Sequence, residues 1–425
     1  MKRKLTLLFA LLAFAAVGNA QKYVGGDISL LKAYEDHNAP YYDSTGTVKI
    51  DFLPYVKDNC GMNIMRVRLF HNPANASAND KGQGVIQDLE YVKALGKQIK
   101  ANGLNFMLDF HYSDTWADPS KQWTPKAWLN ITDAALLDSI YNYTKASLKA
   151  LKDAGATPDF IQIGNEISYG MLWGAEGSTT YKYYAGQSKN RDRFTNLLKS
   201  ASKACREVCP DAKIIIHTER VAQPSYIVNF YEDMDNAGVD YDIIGTSYYS
   251  YYHGYLKQLE DALKQIEQNF TKDIMLVEVG YYNQWQPTDG TVKYDYSSTY
   301  PVTPEGQKEY TKALIDVLNK HPQVKGLLWW EMDANDGAGN AWTSQHVLTG
   351  WYNAGLVDNA TGKLLPAAYV MKDFINTPTG IESIKGATAN QKSAGNIWYN
   401  LNGQRVSRPD KKGIYIRNGQ KVLVK

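Results

Sequence analysis

Phe160-Ile-Gln-Ile-Gly-Asn-Glu166 and Ile274-Met-Leu-Val-Glu278 share one pattern, a short apolar run that stops at a glutamate. Runs this short and apolar read as strands buried on both faces. Each carboxylate then stands where a strand gives way to a loop. The texture recurs along the chain, and strands are predicted at Tyr23–Gly26, Asn63–Leu69, Asn105–Phe110, Phe160–Ile163, Lys213–His217, Tyr241–Ser247, Ile274–Glu278 and Gly326–Trp330. Amphipathic stretches separate them, with helices predicted at Leu89–Ala101, Asp133–Ala154, Asp192–Val208, Gly254–Phe270 and Pro304–Lys320. Eight alternating units over roughly 350 residues favour an α/β fold of the closed (β/α)8 TIM barrel type over an open doubly wound sheet. No Gly-x-Gly-x-x-Gly turn follows the first strand, which argues against a dinucleotide fold.

The 425 residues leave room for one large barrel and an accessory piece. Lys2, Arg3 and Lys4 precede a short apolar core, Leu5 to Val17, and the small residues Gly18 and Ala20. That is the order of a signal peptide cut near Ala20, so the mature protein is expected to be exported. No later run is long and apolar enough to read as a transmembrane segment. The expected division is a signal peptide over 1–20, the catalytic barrel over 21–376, and a linker with a small β module over 377–425. The last part carries Thr377-Pro-Thr-Gly380 and then an apolar–polar alternation, with Asn402-Gly403 and Asn418-Gly419 as hairpin-turn signals. It resembles the short C-terminal β modules of secreted Bacteroidetes proteins, which serve in sorting or anchoring. An ordinary hairpin packed on the barrel fits the same residues.

Charge is nearly balanced, 46 basic against 44 acidic residues for a net +2, and no basic block breaks that balance. Nucleic acid is therefore not an expected partner. The 31 Tyr and 10 Trp against 11 Phe favour aromatics with a polar edge, which suit sugar surfaces and protein surfaces alike. Three cysteines build no disulfide framework. Cys205 and Cys209, four apart on a predicted helix, suit either a bridge or simple burial, and no histidine beside them suggests zinc.

The residues at the other strand ends decide what the glutamates are for. Strand two runs into Arg66-Val-Arg68-Leu-Phe-His71, and strand three into Asp109-Phe-His111-Tyr-Ser-Asp114-Thr-Trp116. Strand four ends in Asn165-Glu166, strand five in His217-Thr-Glu219 and strand six in Ser247-Tyr248-Tyr249. Glu278 closes strand seven and Trp329-Trp330-Glu331 closes strand eight. The loops after barrel strands form the active-site face, so this series predicts a polar pocket lined by aromatics. Two carboxylates on that face are what glycosidic bond cleavage requires, one donating a proton and one meeting the oxocarbenium-like carbon. Asn165 is placed to bond the sugar hydroxyl beside that carbon, and Trp330 offers a flat indole to the sugar ring.

Several segments resemble family 53 of the glycoside hydrolases, the endo-β-1,4-galactanases. They are Gly25-Gly-Asp-Ile-Ser29, Arg66-Val-Arg-Leu-Phe-His-Asn-Pro73, Leu108-Asp-Phe-His-Tyr-Ser-Asp-Thr-Trp-Ala-Asp-Pro119, Gln162-Ile-Gly-Asn-Glu166, Tyr241-Asp-Ile-Ile-Gly-Thr-Ser-Tyr-Tyr249 and Leu328-Trp-Trp-Glu331. The resemblance implies a monomeric enzyme acting on β-1,4-galactan, a side chain of pectin. It implies Glu166 as acid/base and Glu278 as nucleophile of a double displacement with retention, their carboxyls about 5 Å apart. By the same resemblance Asp27, Arg68, His111, Asp114, Trp116, Asn165, His217, Tyr248 and Trp330 line the substrate cleft. The residues alone reach only a retaining glycosidase on a β-linked sugar, which leaves mannan, xylan or a non-catalytic glycan-binding barrel as alternatives.

Some members of that family carry a calcium loop after strand seven. Here Tyr281-Tyr-Asn-Gln-Trp-Gln-Pro-Thr-Asp289-Gly-Thr lacks dense carboxylates and carries Trp285. No metal or other cofactor is therefore expected in catalysis, and a structural calcium stays open.

Overall fold

In the computed structural model, the described residues are 21–335, 352–376 and four strands beyond residue 397. The signal peptide over 1–20, the linker 377–380 and the turns at 402–403 and 418–419 lie outside them. Eight parallel strands close into a barrel: β1 Tyr23–Asp27, β2 Ile64–Leu69, β3 Asn105–Phe110, β4 Phe160–Ile163, β5 Lys213–Thr218, β6 Ile243–Tyr249, β7 Asp273–Gly280 and β8 Val324–Trp329. Neighbours in sequence are neighbours in the ring, and β1 completes it by pairing with both β2 and β8. Helices fill the intervals: α1 Phe52–Cys60, α2 Leu89–Ala101, α3 Asp133–Asp153, α4 Arg191–Val208, α5 Pro224–Ala237, α6 Leu256–Asn269 and α7 Pro304–Leu318.

Local chemistry sets the helix ends. The Asp88, Thr132 and Thr303 side chains accept from the main-chain N–H of Tyr91, Ala135 and Gly306, satisfying amides that the first turn cannot. Pro304 follows the last cap at a position where its missing N–H costs nothing. Gly61 and Gly238 close α1 and α5 in the left-handed region, with φ of 67° and 71°.

The two-residue period of the strands sorts their side chains. Ile64, Met107, Phe160, Ile215, Ile243, Met275, Val277 and Leu328 form one buried cluster inside the ring, joined by Tyr23. Their neighbours one residue along, such as Met65, Leu108, Ile161, Ile214, Ile244, Leu276 and Leu327, belong to the larger core shared with the helices. The barrel floor is thus an apolar plug, and the inward positions nearer the strand ends are left for polar groups.

All three cysteines are buried and unbridged. Among the described residues no helix is long and apolar enough to cross a membrane. A second compact unit spans Pro378–Lys425. Its described strands, β9 Trp398–Tyr399, β10 Arg405–Val406, β11 Gly413–Arg417 and β12 Gln420–Val424, form an antiparallel sheet in the order β10-β9-β11-β12.

Candidate active site

Above the apolar plug, the next inward residues are Arg66 and Arg68 on β2, Asp109 on β3, Gln162 on β4, His217 on β5 and Ser247 and Tyr249 on β6. On β7 the alternation is broken. Thr246 pairs with Leu276 but Ser247 pairs with Glu278, so Val277 is an extra residue in the ladder. Met275 and Val277 point inward, Ile274 and Leu276 outward, and the bulge turns Glu278 inward where strict alternation would send it to the helices.

Arg66 is fully buried and organises the layer. Nη2 lies 2.8 Å from Asp109 Oδ2, 2.8 Å from Asn165 Oδ1 and 2.9 Å from Glu278 Oε1. Nη1 reaches Asp27 Oδ2 at 3.2 Å, and Nε reaches Gln162 Oε1 at 3.3 Å. Burial alone would lower the Arg66 pKa, but the surrounding carboxylates outweigh it and hold the charge firmly. Burial likewise pushes Asp109 up, yet Arg66 and His111 more than offset it, and its carboxyl ionises below the usual range. His217 is driven well below its usual pKa by burial and then by the Arg66 charge, so it is a neutral imidazole.

Glu278 and Glu166 meet over this layer. Glu278 receives Tyr249 OH on Oε2 at 2.9 Å and the Arg66 guanidinium on Oε1. Glu166 sits after Gly164 and Asn165 with φ of 46°, a left-handed conformation unusual for a residue with a Cβ and typical of functional sites. Its Oε1 lies 2.7 Å from Ser247 Oγ, within hydrogen-bond reach. One carboxylate oxygen of each glutamate lies within 4.8 Å of the other. Burial pushes Glu166 well above the carboxylate range, and the Glu278 charge adds to it. Glu278 is raised by burial and pulled back by Arg66, to about 7. The pair therefore holds its proton on Glu166 and its charge on Glu278.

The predicted site residues separate into two groups. Glu166, Glu278, Asn165, Trp116 and Trp330 line a cavity of about 780 Å³ at the barrel mouth. Both indoles are half-buried, 6.3 Å apart, and cover Arg68 at 4.6 and 5.3 Å. Asp27, Arg68, His111 and His217 are buried beneath that wall and hold it rather than form it. Asp27 bridges Arg66 and Arg68, while His111 Nδ1 accepts from Ala117 N–H at 3.1 Å. Asp114 braces the loops after β2 and β3, accepting from Asn75 Nδ2 at 2.8 Å and Lys126 N–H at 2.9 Å.

Tyr248 requires a correction. β6 runs on to Tyr249, two residues past the predicted end, and on that strand Tyr248 faces the helices. Its hydroxyl donates to Gly254 O at 2.8 Å inside the core. Tyr249 takes the inward place, and period-two counting from Ile243 would have found it. Gln162 was missed, and Ser247 and Glu219 were named only as strand-end residues and not among those lining the cleft. Glu219 lines the same cavity, accepts from Ser168 Oγ, and is raised by burial to about 8.

Metal chemistry finds no ready donor set. Glu166, His217 and Glu278 are, among the described residues, the one group of three such side chains close enough to share an ion. Both His217 nitrogens and both Glu278 oxygens already have partners. After β7, Asp289 and Asp295 turn back on their own loop to Thr291 N–H and Ser297 N–H and do not converge. Trp285 is 40% exposed on that loop.

The barrel has counterparts among known proteins. An arabinogalactan endo-β-1,4-galactanase of Cellvibrio japonicus is 31% identical over 377 residues, covering 85% of this chain and 93% of its own. The GH53 catalytic domain of Ignisphaera aggregans superposes with a TM-score of 0.72 at 30% identity, covering 84% of this chain and 97% of its own. A fungal β-1,4-galactanase structure matches with a TM-score of 0.67 at 27% identity, covering 83% and 99%. The profile of glycosyl hydrolase family 53 matches residues 23–371, and the chain belongs to that family.

Proposed function

We propose that this enzyme is an exported, monomeric endo-β-1,4-galactanase that cleaves galactan with retention of configuration. The observation that carries the reading is the asymmetric glutamate pair. Carboxyls this close suit a nucleophile and an acid/base rather than two groups separated by a water. Arg66 and Tyr249 hold charge on Glu278, and burial beside that charge holds a proton on Glu166.

Glu278 attacks the anomeric carbon while Glu166 gives its proton to the departing oxygen. Glu166, now ionised, takes a proton from water, whose oxygen displaces Glu278 from the sugar. Asn165, held by Arg66 and by donating to Ala117 O at 2.7 Å, presents its amide edge beside the reacting carbon. Trp116 and Trp330 give the sugar apolar faces. The substrate assignment draws on family membership and on the galactanases among the relatives. The order of charged, apolar and small residues over 1–20 supports export.

The test is a reducing-sugar assay over purified galactan, xylan and mannan, with Glu278→Ala and Glu166→Ala beside the wild type. Galactan hydrolysis abolished by Glu278→Ala is the expected result. Glu166→Ala should retain most activity only on substrates whose leaving group needs no proton. Activity on xylan without activity on galactan, or a fully active Glu278→Ala, overturns the reading.

A further inference from the structure

Ser247 Oγ stands between the two carboxylates, 2.7 Å from Glu166 Oε1 and 3.3 Å from Glu278 Oε2. A hydroxyl has one hydrogen, so it donates to only one of them at a time. Behind it, His217 Nε2 lies 2.8 Å from the same oxygen. The other ring nitrogen, Nδ1, faces Gln162 Nε2 at 3.1 Å and receives the Glu166 main-chain N–H, which can only donate, at 3.3 Å; Asn165 Oδ1 also lies 3.1 Å away but takes its hydrogen from Arg66 Nη2. Gln162 Oε1 is taken by Arg66 Nε, which fixes the orientation of that amide. Nδ1 therefore accepts, the imidazole proton lies on Nε2, and His217 donates to Ser247 Oγ. The serine oxygen is anchored from behind while its hydrogen stays free to turn.

We infer that Ser247 is a positioning residue whose hydroxyl hydrogen follows the negative charge between Glu278 and Glu166 during the reaction. The inference rests on the double-displacement reading above. In the resting enzyme Glu278 carries the charge and receives the hydrogen across 3.3 Å, while protonated Glu166 donates from Oε1 to the serine oxygen at 2.7 Å. When a Glu278 oxygen bonds to the anomeric carbon and the leaving oxygen takes the Glu166 proton, the charge moves to Glu166, and the hydrogen turns to Oε1. When water bonds to that carbon and its proton goes to Glu166, the ester to Glu278 breaks and the hydrogen returns. Arg66 from β2 and Tyr249 from β6 hold Glu278 throughout. Asp27 from β1, Asp109 from β3, Asp118 after β3, Glu219 after β5 and neutral His217 are further titratable groups whose charges act here. His217 fixes the serine oxygen but cannot itself follow the charge, because its one proton is committed to Ser247.

The test compares wild type, Ser247→Ala, Ser247→Gly and Ser247→Thr on galactan and on an aryl β-galactobioside with a good leaving group. Galactan needs the proton of the first displacement, and the aryl substrate makes the second displacement limiting. Ser247→Ala should lose about 10- to 100-fold in kcat on both, the effect of one hydrogen bond to a charged group. The acid limb of kcat/KM should also move to higher pH, because the charged form of Glu278 has lost a donor. Ser247→Thr should restore much of the rate and return the limb. Ser247→Gly repeats the test without bulk if the alanine variant does not fold. An active wild type whose Ala or Gly variant keeps an unmoved limb, or loses rate on only one substrate, overturns this inference alone. A wild type inactive on both galactosides overturns the functional reading as well.

Discussion

Tyr248 and Tyr249 are adjacent, equally buried and chemically identical, yet a hydroxyl removed from each should have opposite consequences. In Tyr248→Phe the core loses a neutral hydrogen bond to Gly254 O. Such a bond contributes about 0.5 to 1.5 kcal/mol, so in a barrel this large the melting temperature should drop by only about 1 to 2 °C with kcat nearly unchanged. In Tyr249→Phe the ring stays against Tyr251, 5.7 Å away, but Glu278 loses the donor at 2.9 Å. Burial and the Glu278 charge keep the Tyr249 hydroxyl protonated, so it acts only as a donor there. A bond to a charged acceptor contributes about 1.5 to 3 kcal/mol, equivalent to a loss of about 10- to 100-fold in kcat. Because that bond favours the carboxylate, its removal raises the Glu278 pKa and moves the acid limb to higher pH. Melting curves and pH–rate profiles of both variants measure these effects. Comparable activity losses in the two, or a Tyr249→Phe enzyme with wild-type rate and limb, would refute the strand register argued above.

The wild-type profile should be bell-shaped: activity requires Glu278 charged, which fails as pH drops through about 7, and Glu166 protonated, which fails at alkaline pH. A single limb in a kcat/KM profile contradicts separate roles. Glu219, raised by burial from 4.5 to about 8, binds a proton that the unfolded chain has already released. Its contribution to stability is present below about 4.5 and lost as pH rises through 8, so Glu219→Gln should melt with a smaller decline between pH 5 and 8.5 than wild type. An equal or steeper decline in the variant rules that out. Deleting Val277 removes the bulge but restores strict alternation, with Met275 inward, Leu276 outward and Glu278 inward opposite Ser247, so the folded variant should keep galactan hydrolysis clearly above that of Glu278→Ala, and a variant as inactive as Glu278→Ala refutes that register. Truncation at residue 380 should leave hydrolysis of soluble galactan within about twofold, since Pro378–Lys425 is a separate unit; a larger loss would assign that unit a part in catalysis.

The barrel was legible because buried parallel strands are apolar on both faces, and that texture survives in a single sequence. Glu166 was equally legible, since only Gly164 and Asn165 separate the end of β4 from the strained residue that carries its carboxylate. Glu278 was found at the right strand end for an incomplete reason. From Met275 and Val277 the inward parity is odd, and only the extra residue in the β6–β7 ladder brings an even-numbered position inside. A bulge depends on the register of two strands and leaves no mark in one of them. The misplaced Tyr248 is a different failure, because Ile243, Gly245, Ser247 and Tyr249 already spell the inward set. Setting the strand end two residues early hid it. α5 was not among the predicted helices, although Ile227, Phe230, Tyr231 and Met234 recur at helical spacing and are buried.

What no strand reveals alone is why two glutamates so close in space differ. Both are buried, and burial raises both, so desolvation cannot tell them apart. The distinction comes from Arg66, whose Nη2 reaches Glu278 and Asn165 together and whose charge is kept by Asp27 and Asp109 beneath. Those two aspartates hold the Arg66 guanidinium in place, while their own charges act on Glu278 in the opposite sense and push its pKa up, so the Arg66 charge prevails against them. The acid and the nucleophile are therefore defined from below, by a buried ion network rooted on β1, β2 and β3, although they sit on β4 and β7. That is why Asp27 and Asp109, which never reach the cavity wall, belong to the chemistry as much as the tryptophans that do.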